Sequence, residues 1–214
     1  MRNLQKLDEP QVLSDNFTDW TQDFTSDPTN RTYRFRYRHK DIKGILKTET
    51  GFKCIYCEST IGHNTPGDVE HIVPTSKDPS QHFVWSNLSI ACTECNRRKD
   101  NYYEENEEFL NPYTDDVESM LIHLGPIVTW QNGQARAEIT VRTLNLNDGQ
   151  RIELFMRKIE KIEEITTAIE RYQSETNAPL KKILEFQLKT FCDKDSEYSA
   201  MALSLFRQKG IDVP

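Results

Sequence analysis

Two cysteine pairs with the spacing Cys-x-x-Cys decide the fold: CIYC at residues 54–57 and CTEC at residues 92–95. The 34 residues between the pairs exceed the roughly 15 to 20 of a simple zinc ribbon, so a further structure is inserted between them. Four thiolates form a closed tetrahedral ligand set, which predicts one structural zinc ion. Its ligands would be Cys54, Cys57, Cys92 and Cys95. The alternative is that the four are core cysteines without a metal.

The inserted segment has the pattern of strand, loop and strand, followed by a helix. The sequence DVEHIVP at 68–74 contains three β-branched residues and ends in proline, which favours a short strand. A second short strand is predicted at LSIA, residues 88–91, and a helix is predicted to begin near Thr93. The fold class expected is therefore α+β: a small zinc-stabilised ββα core, an N-terminal helical segment and a mainly helical C-terminal region.

Composition and charge divide the chain into four parts. These are an N-terminal helical and basic segment at 1–50, the zinc-bound core at 51–103, an acidic linker with a hairpin at 104–146, and a helical region at 147–214.

Hydrophobic periodicity predicts the main elements outside the core. A short helix near the N-terminus and a long helix after Asp148 are expected from apolar residues three and four apart. Their apolar faces are Val12, Leu13, Phe17, Trp20 and Phe24, and then Ile152, Phe155, Ile159, Ile162 and Ile169. A hairpin is expected to pair 127–130 with 135–141 across Asn132-Gly133, because Asn-Gly suits a type I′ turn. A helix at 135–141 is the alternative.

The overall charge does not exclude a nucleic-acid partner. The 214 residues have a formal net charge of −7, but residues 31–47 contain seven basic side chains against one acidic, whereas 101–120 contain seven acidic and no basic ones. No apolar run approaches the roughly 18 residues of a membrane span, and the first residues lack the apolar stretch of a secretory signal. A cytoplasmic protein without a membrane partner is expected, in which reduced cysteines bind metal.

The ordered motifs resemble those of HNH (ββα-metal) endonucleases that carry an added four-cysteine zinc site. The resemblance runs from about Phe52 to Lys99 and rests on Cys-x-x-Cys, Glu-His-Ile-x-Pro, Ser-Asn-Leu and Cys-x-x-Cys-Asn-x-x-Lys. It implies that His71 is the general base, that Glu70 binds a catalytic divalent metal, and that Asn87 fixes the base or its loop. Asn96 stands where many members have histidine, and it would also face the metal.

The metal implied is Mg²⁺ or Mn²⁺, because carboxylate and amide oxygens suit hard cations. Hydrolysis of a phosphodiester needs a base to take a proton from water and a cation to stabilise the charge on the phosphate. The predicted function is therefore a metal-dependent endonuclease that cuts DNA.

A narrower resemblance joins the chain to the small HNH subunits of Septu-type and retron-associated anti-phage systems. It rests on the opening MRNLQKL with a proline at position 10, the core near residue 50, and the segment 139–147 that ends in LNLN. Members of that group act with a partner ATPase, so a nuclease controlled by such a partner is expected. Two other functions compete: a zinc module that binds nucleic acid without cutting, and an assembly scaffold with a vestigial nuclease fold.

Six basic residues are candidates for nucleic-acid contacts. Arg97, Arg98 and Lys99 follow Asn96 on the predicted helix, and Arg34, Arg36 and Arg38 alternate with aromatic residues. A solvated surface is an equally good interpretation of both sets. The remaining histidines, His39, His63, His82 and His123, are expected to be ordinary surface or structural residues.

Overall fold

The structure is a computed structural model that describes residues 1–62 and 66–211. In this part of the chain the helices are α1 (Gln11–Ser26), α2 (Arg31–Arg34), α3 (Lys40–Glu49), α4 (Thr93–Lys99), α5 (Val117–Met120), α6 (Ala135–Thr143), α7 (Ile152–Ser174), α8 (Ala178–Thr190) and α9 (Ser199–Gln208). The strands are β1 (Asp68–His71), β2 (Leu88–Ala91), β3 (Leu121–Leu124) and β4 (Ile127–Trp130). The predicted α+β class is confirmed. None of the helices described is long and apolar enough to cross a membrane.

The predicted ββα unit is formed by β1, β2 and α4. The strands are antiparallel, with Asp68 opposite Ala91 and His71 opposite Leu88. Val69 and Ile90 face each other across the pair and are both buried, which fixes the register because a shift of one residue would expose them. Helix α4 contacts β1 and begins directly after Cys92, whose Sγ accepts a hydrogen bond from the Cys95 amide at 3.4 Å.

The N-terminal segment packs around this unit. Helix α3 contacts β2, and its Ile42 and Leu46 are fully buried. Helix α1 contributes the buried residues Leu13 and Phe24, whereas Phe17 of the predicted apolar face is 36% exposed. The alternating stretch after residue 30 forms α2 and a short 3₁₀ turn.

The predicted hairpin is wrong in its pairing. Strand β4 pairs with β3, which precedes it, across a turn at Gly125-Pro126 in which Gly125 has φ +59°. The segment after Asn132-Gly133 forms helix α6 instead of a second arm, which was the alternative. Helix formers such as Ala135 and Arg136 dominate there, and the glycine's positive φ supplies the turn between β4 and α6.

The acidic stretch is only partly solvated. Phe109, Leu110 and Val117 within it belong to the hydrophobic core. Asp115 accepts two hydrogen bonds from Arg136 at 2.8 Å, one on each carboxylate oxygen, which joins the stretch to α6.

The long C-terminal helix buries a face that overlaps the predicted one, because Ile169 is buried and Ile162 packs against the main core. Ile152 is 60% exposed, and the buried positions of α7 are Leu154, Lys158, Ile165 and Ile169. Ile165 and Ile169 pack with residues of α8 and α9 in a second, smaller hydrophobic core. Lys158 is buried on this face near the cysteine cluster. Burial lowers the pKa of Lys158, and negative charge on Cys57 opposes this shift.

Candidate functional site: a cysteine cluster beside a histidine-lined cavity

The four predicted cysteine ligands come together. Their Sγ atoms all lie within 4.8 Å of one another, and Cys57 Sγ is 3.8 Å from Cys92 Sγ. The first pair lies on a tight turn in which the Glu58 amide donates to the Cys54 carbonyl at 3.0 Å. Cys192 is buried in the second core and takes no part in the cluster. The geometry therefore provides four sulfur ligands for one tetrahedral ion, and such a set could hold zinc.

A buried arginine supports the assignment of thiolates at this cluster. Arg151 is 7% exposed, and both of its terminal nitrogens lie 3.5 Å from Cys95 Sγ. Burial acts to lower the pKa of Arg151, but the thiolates of Cys95 and Cys57 outweigh it and raise this pKa above its usual value. A guanidinium keeps its charge in a protein interior, so it needs an anion nearby. Four thiolates around Zn²⁺ carry two net negative charges, which fits this cation.

Five of the other predicted site residues line a cavity of about 420 Å³. Its lining includes Glu70 and His71 from β1 and Asn96 and Lys99 from α4. The N-terminal segment closes the cavity with residues such as Arg34. The strand and the helix of the ββα unit thus bring the histidine, the carboxylate and the amide to one opening.

His71 is held in one tautomer. Its Nε2 lies 3.0 Å from the backbone carbonyl of His82. A carbonyl only accepts, so Nε2 must donate, and Nδ1 is left with the lone pair. Burial lowers the pKa of His71 to about 3, and the nearby His82, Lys99 and Arg34 act in the same direction. The imidazole is therefore neutral near pH 7 and able to accept a proton at Nδ1.

Glu70 is fixed by two partners inside the wall of the cavity. It is 2% exposed, and its Oε1 accepts from Lys99 Nζ at 2.6 Å and from the Tyr56 hydroxyl at 3.3 Å. Burial raises the pKa of the Glu70 carboxyl, and the Lys99 ammonium opposes this shift. Within the described residues both contacts fall on Oε1, so Oε2 is the oxygen left for a cation.

Asn87 and Asn96 have different places in the site. Asn87 is buried, its Oδ1 accepts from the Val73 amide at 2.7 Å, and its Nδ2 donates to the carbonyls of Val73 and Gln81, both at 3.0 Å. It therefore joins two parts of the loop that follows β1. Asn96 is half-buried in α4 and lines the cavity.

Some of the basic residues predicted to contact nucleic acid are engaged in ion pairs within the protein, and others are exposed. Lys99 departs from the prediction of a surface phosphate contact, because it is 3% exposed and bound to Glu70 and to the His71 carbonyl. Arg98 pairs with Glu94 at 2.6 Å, and Arg36 pairs with Asp23 at 2.7 Å.

Three arginines of the six remain exposed. Arg34 lines the cavity. Arg97 contacts Glu94 but keeps 65% of its side chain exposed, and Arg38 lies over the Phe35 ring at 4.3 Å. Arg34 is therefore the best placed of the set to meet a phosphate at the cavity.

His82 was missed as a site residue by the sequence interpretation. It is 2% exposed and its ring is stacked on that of His71, with centroids 4.9 Å apart. No motif of the ββα unit includes it, and a solitary histidine in a loop is indistinguishable from a surface residue. His123 is also buried, in agreement with a structural role, and His63 lies outside the described residues.

Comparison with known proteins supports the same core. Residues 54–102 match the family model described as HNH endonuclease. A curated relative, "Septu protein PtuB" of Bacillus mycoides (strain KBAB4), is 25% identical in an alignment 182 positions long, and the match covers 66% of this chain. The match spans 62% of that relative's length. The predicted resemblance to HNH endonucleases is confirmed for the core, and the likeness to Septu proteins extends beyond it.

Proposed function

We propose, from the HNH endonuclease core at residues 54–102, that this protein hydrolyses DNA phosphodiester bonds in a metal-dependent reaction. One observation carries the proposal: the cavity brings a neutral histidine, whose Nδ1 has no hydrogen-bond partner among the described residues, together with a fixed carboxylate and an amide. His71 comes from β1, and Asn96 comes from α4, the helix that begins between the cluster residues Cys92 and Cys95.

In this reaction His71 acts as the general base. Its Nδ1 accepts a proton from the attacking water, while the Nε2–H bond to the His82 carbonyl keeps the ring in place. Glu70 and Asn96 are the residues that would hold Mg²⁺ or Mn²⁺, which when bound stabilises charge on the phosphate and the leaving oxygen. Lys99 orients the Glu70 carboxylate through Oε1, and Asn87 keeps the adjoining loop closed.

The charge around the opening favours a polyanionic substrate. Arg34 lines the cavity. Arg38, before β1 in the sequence, and Arg97, on α4, add further exposed positive charge. Phosphate contacts supply most of the non-specific affinity for DNA. With only these few exposed cations, the site would contact few phosphates. We therefore propose that segment 51–103 cuts and that other parts of an assembly help to hold the substrate.

We further propose that the nuclease belongs to an anti-phage defence complex with a PtuA-like ATPase partner. The proposal is supported by the likeness to a Septu protein and by large apolar side chains that α8 leaves in solvent, Ile183 at 56% and Phe186 at 70% exposure. Region 147–214, beyond the nuclease core, is the proposed docking region.

Co-expression with a PtuA-like ATPase tests the partner. We expect the full-length protein to co-purify with it, and the variant Phe186→Ser to reduce the recovered ATPase by roughly tenfold, since central apolar anchors often contribute about 2 kcal/mol or more to binding. Thr18→Val, at an exposed position of α1 outside the proposed docking region, is the control. Equal recovery of ATPase by wild type and Phe186→Ser would rule out this docking surface.

Plasmid cleavage with titrated Mg²⁺ tests the nuclease. Loss of an outer-shell partner of a metal ligand typically costs about 10- to 100-fold in metal affinity or activity, so we expect Glu70→Gln to raise the Mg²⁺ concentration for half-maximal cleavage at least that much. This variant leaves Lys99 without its counter-charge, so the double variant Glu70→Gln/Lys99→Met serves as a neutral, foldable form.

Glu164→Gln on the exposed side of α7 is the matched control and should titrate as the wild type does. Wild-type protein that binds DNA but never cuts it, at any Mg²⁺ or Mn²⁺ concentration, would favour the non-cleaving zinc module instead.

A further inference from the structure

Three parallel rings line the cavity. Phe24 of α1 stacks on His82 with centroids 4.1 Å apart and planes 14° apart, and His82 stacks on His71 at 4.9 Å and 7°. The edge of Tyr37 contacts both imidazoles, at 4.7 Å from His71 and 5.1 Å from His82. His82 is the middle member of this stack.

The ring of His82 cannot turn in its place. Its Nε2 lies 2.8 Å from the carbonyl of Arg34, so this nitrogen must donate. Its Nδ1 is then an acceptor, and it meets the hydroxyl of Thr75 at 2.8 Å. Both ring nitrogens of a residue that is 2% exposed are thus satisfied by fixed partners. The two bonds fix the plane and the tautomer of the His82 ring.

His82 reaches His71 in two ways. Its ring covers one face of the His71 imidazole, and its backbone carbonyl accepts the Nε2–H of the same imidazole at 3.0 Å. The first contact sets the plane of the His71 ring and the second sets its rotation and tautomer. Together they determine where Nδ1 lies.

We propose that His82 is a positioning residue: its ring, held by two hydrogen bonds, fixes the His71 imidazole. The orientation of His71 then depends on the N-terminal segment. This inference rests on the proposed function of His71 as general base. Two of the groups that hold His82, the Phe24 ring and the Arg34 carbonyl, lie outside residues 54–102, which match the HNH family. The nuclease core therefore does not complete its own site, and α1 and α2 supply the support.

The test removes one bond of His82 and keeps its ring. Thr75→Val deletes the hydroxyl that serves Nδ1, and Thr75→Ser retains it. His82→Phe keeps the stack and loses both ring bonds. Nitrogen-15 NMR of the His71 imidazole reports its tautomer, and steady-state cleavage separates kcat from KM.

We expect the wild type to hold His71 in the Nε2–H form. Thr75→Val and His82→Phe should give a mixture of tautomers and lower kcat by about 10- to 100-fold with little change in KM, because small misplacements of a reacting group have effects of this size. Thr75→Ser should restore the single tautomer and most of kcat. The control Thr167→Val, at an exposed position of α7, should change neither readout.

The inference is overturned if both variants fold, keep the single Nε2–H tautomer and retain kcat within about twofold, the limit below which no loss of positioning is indicated. Thermal melting of each variant establishes folding, and Thr75→Val is decisive if His82→Phe is unstable. The NMR readout does not need cleavage. A wild type that never cuts DNA would therefore refute the proposed function while the tautomer still decides the role of His82.

Discussion

Replacing His71 by alanine is expected to slow cleavage of plasmid DNA by about 10²- to 10⁴-fold, the usual contribution of a positioned general base. The reason is local: Nδ1 is the nitrogen that carries the lone pair in this site, because Nε2 is engaged by the His82 carbonyl. DNA affinity and zinc content should stay the same, since neither the exposed arginines nor the cysteines contact the imidazole. Single-turnover cleavage, a DNA-binding assay and metal analysis measure the three quantities.

His39→Asn provides the matched control for this substitution. The His39 side chain accepts a hydrogen bond from the Asp41 amide at the start of α3, and asparagine can serve the same cap. Its cleavage rate should equal that of the wild type. A His71→Ala protein that folds and cuts at the wild-type rate would remove His71 from the mechanism.

Loss of the metal at the cysteine cluster is expected to abolish the cooperative fold. Structural zinc contributes roughly 10 to 16 kcal/mol in zinc-finger peptides, whereas a domain is stable by only about 5 to 15 kcal/mol in total. The double variant Cys54→Ala/Cys95→Ala, or a strong chelator, should therefore remove both the bound zinc and the thermal transition. Elemental analysis and circular dichroism follow the two effects, and weak chelation of Mg²⁺ alone should stop cleavage and leave the fold intact.

Cys192→Ser is the control for the cluster. This thiol lies in the second hydrophobic core, so its replacement should cost no more than about 1 to 3 kcal/mol through a buried hydroxyl and should leave one zinc ion per chain. A variant of Cys192 that loses zinc, or a Cys54→Ala/Cys95→Ala protein that melts like the wild type, would contradict the four-ligand assignment.

The core of the fold was predictable because its signals are local and independent. Cysteine spacing, the β-branched run that ends at Pro74, and the helix after Cys92 each indicate the same ββα unit. The hairpin was mispaired because two turn signals compete within ten residues, Gly125-Pro126 and Asn132-Gly133. Local sequence does not decide between them, and the choice is made by packing of β3 against α9.

The meeting of the candidate site residues at one cavity was also predictable, but the contacts that support them were not. The motifs place His71 and Asn96 on a strand and a helix that must meet, and both line the cavity. The hydrogen bond between His82 and the Arg34 carbonyl joins residues 48 positions apart. Because it uses a backbone group, no pattern of side chains in the sequence predicts it. The burial of Lys99 likewise depends on Glu70 across the cavity wall.

The two cations that α7 and the turn before it carry into the interior impose an order on assembly. Arg151 lies against the cysteine sulfurs, and the buried ammonium of Lys158 donates to the Pro126 carbonyl at 3.1 Å. A bound metal requires deprotonated cysteines, so without it less negative charge faces the two cations that the helix brings into a dry interior. The ligands precede α7 in the chain, so a growing polypeptide on the ribosome can capture its ion before the helix that needs it has been made. In a cell short of zinc, newly made chains would then have no folded core on which the last third could pack. We expect this unpacked segment to be degraded early by proteases.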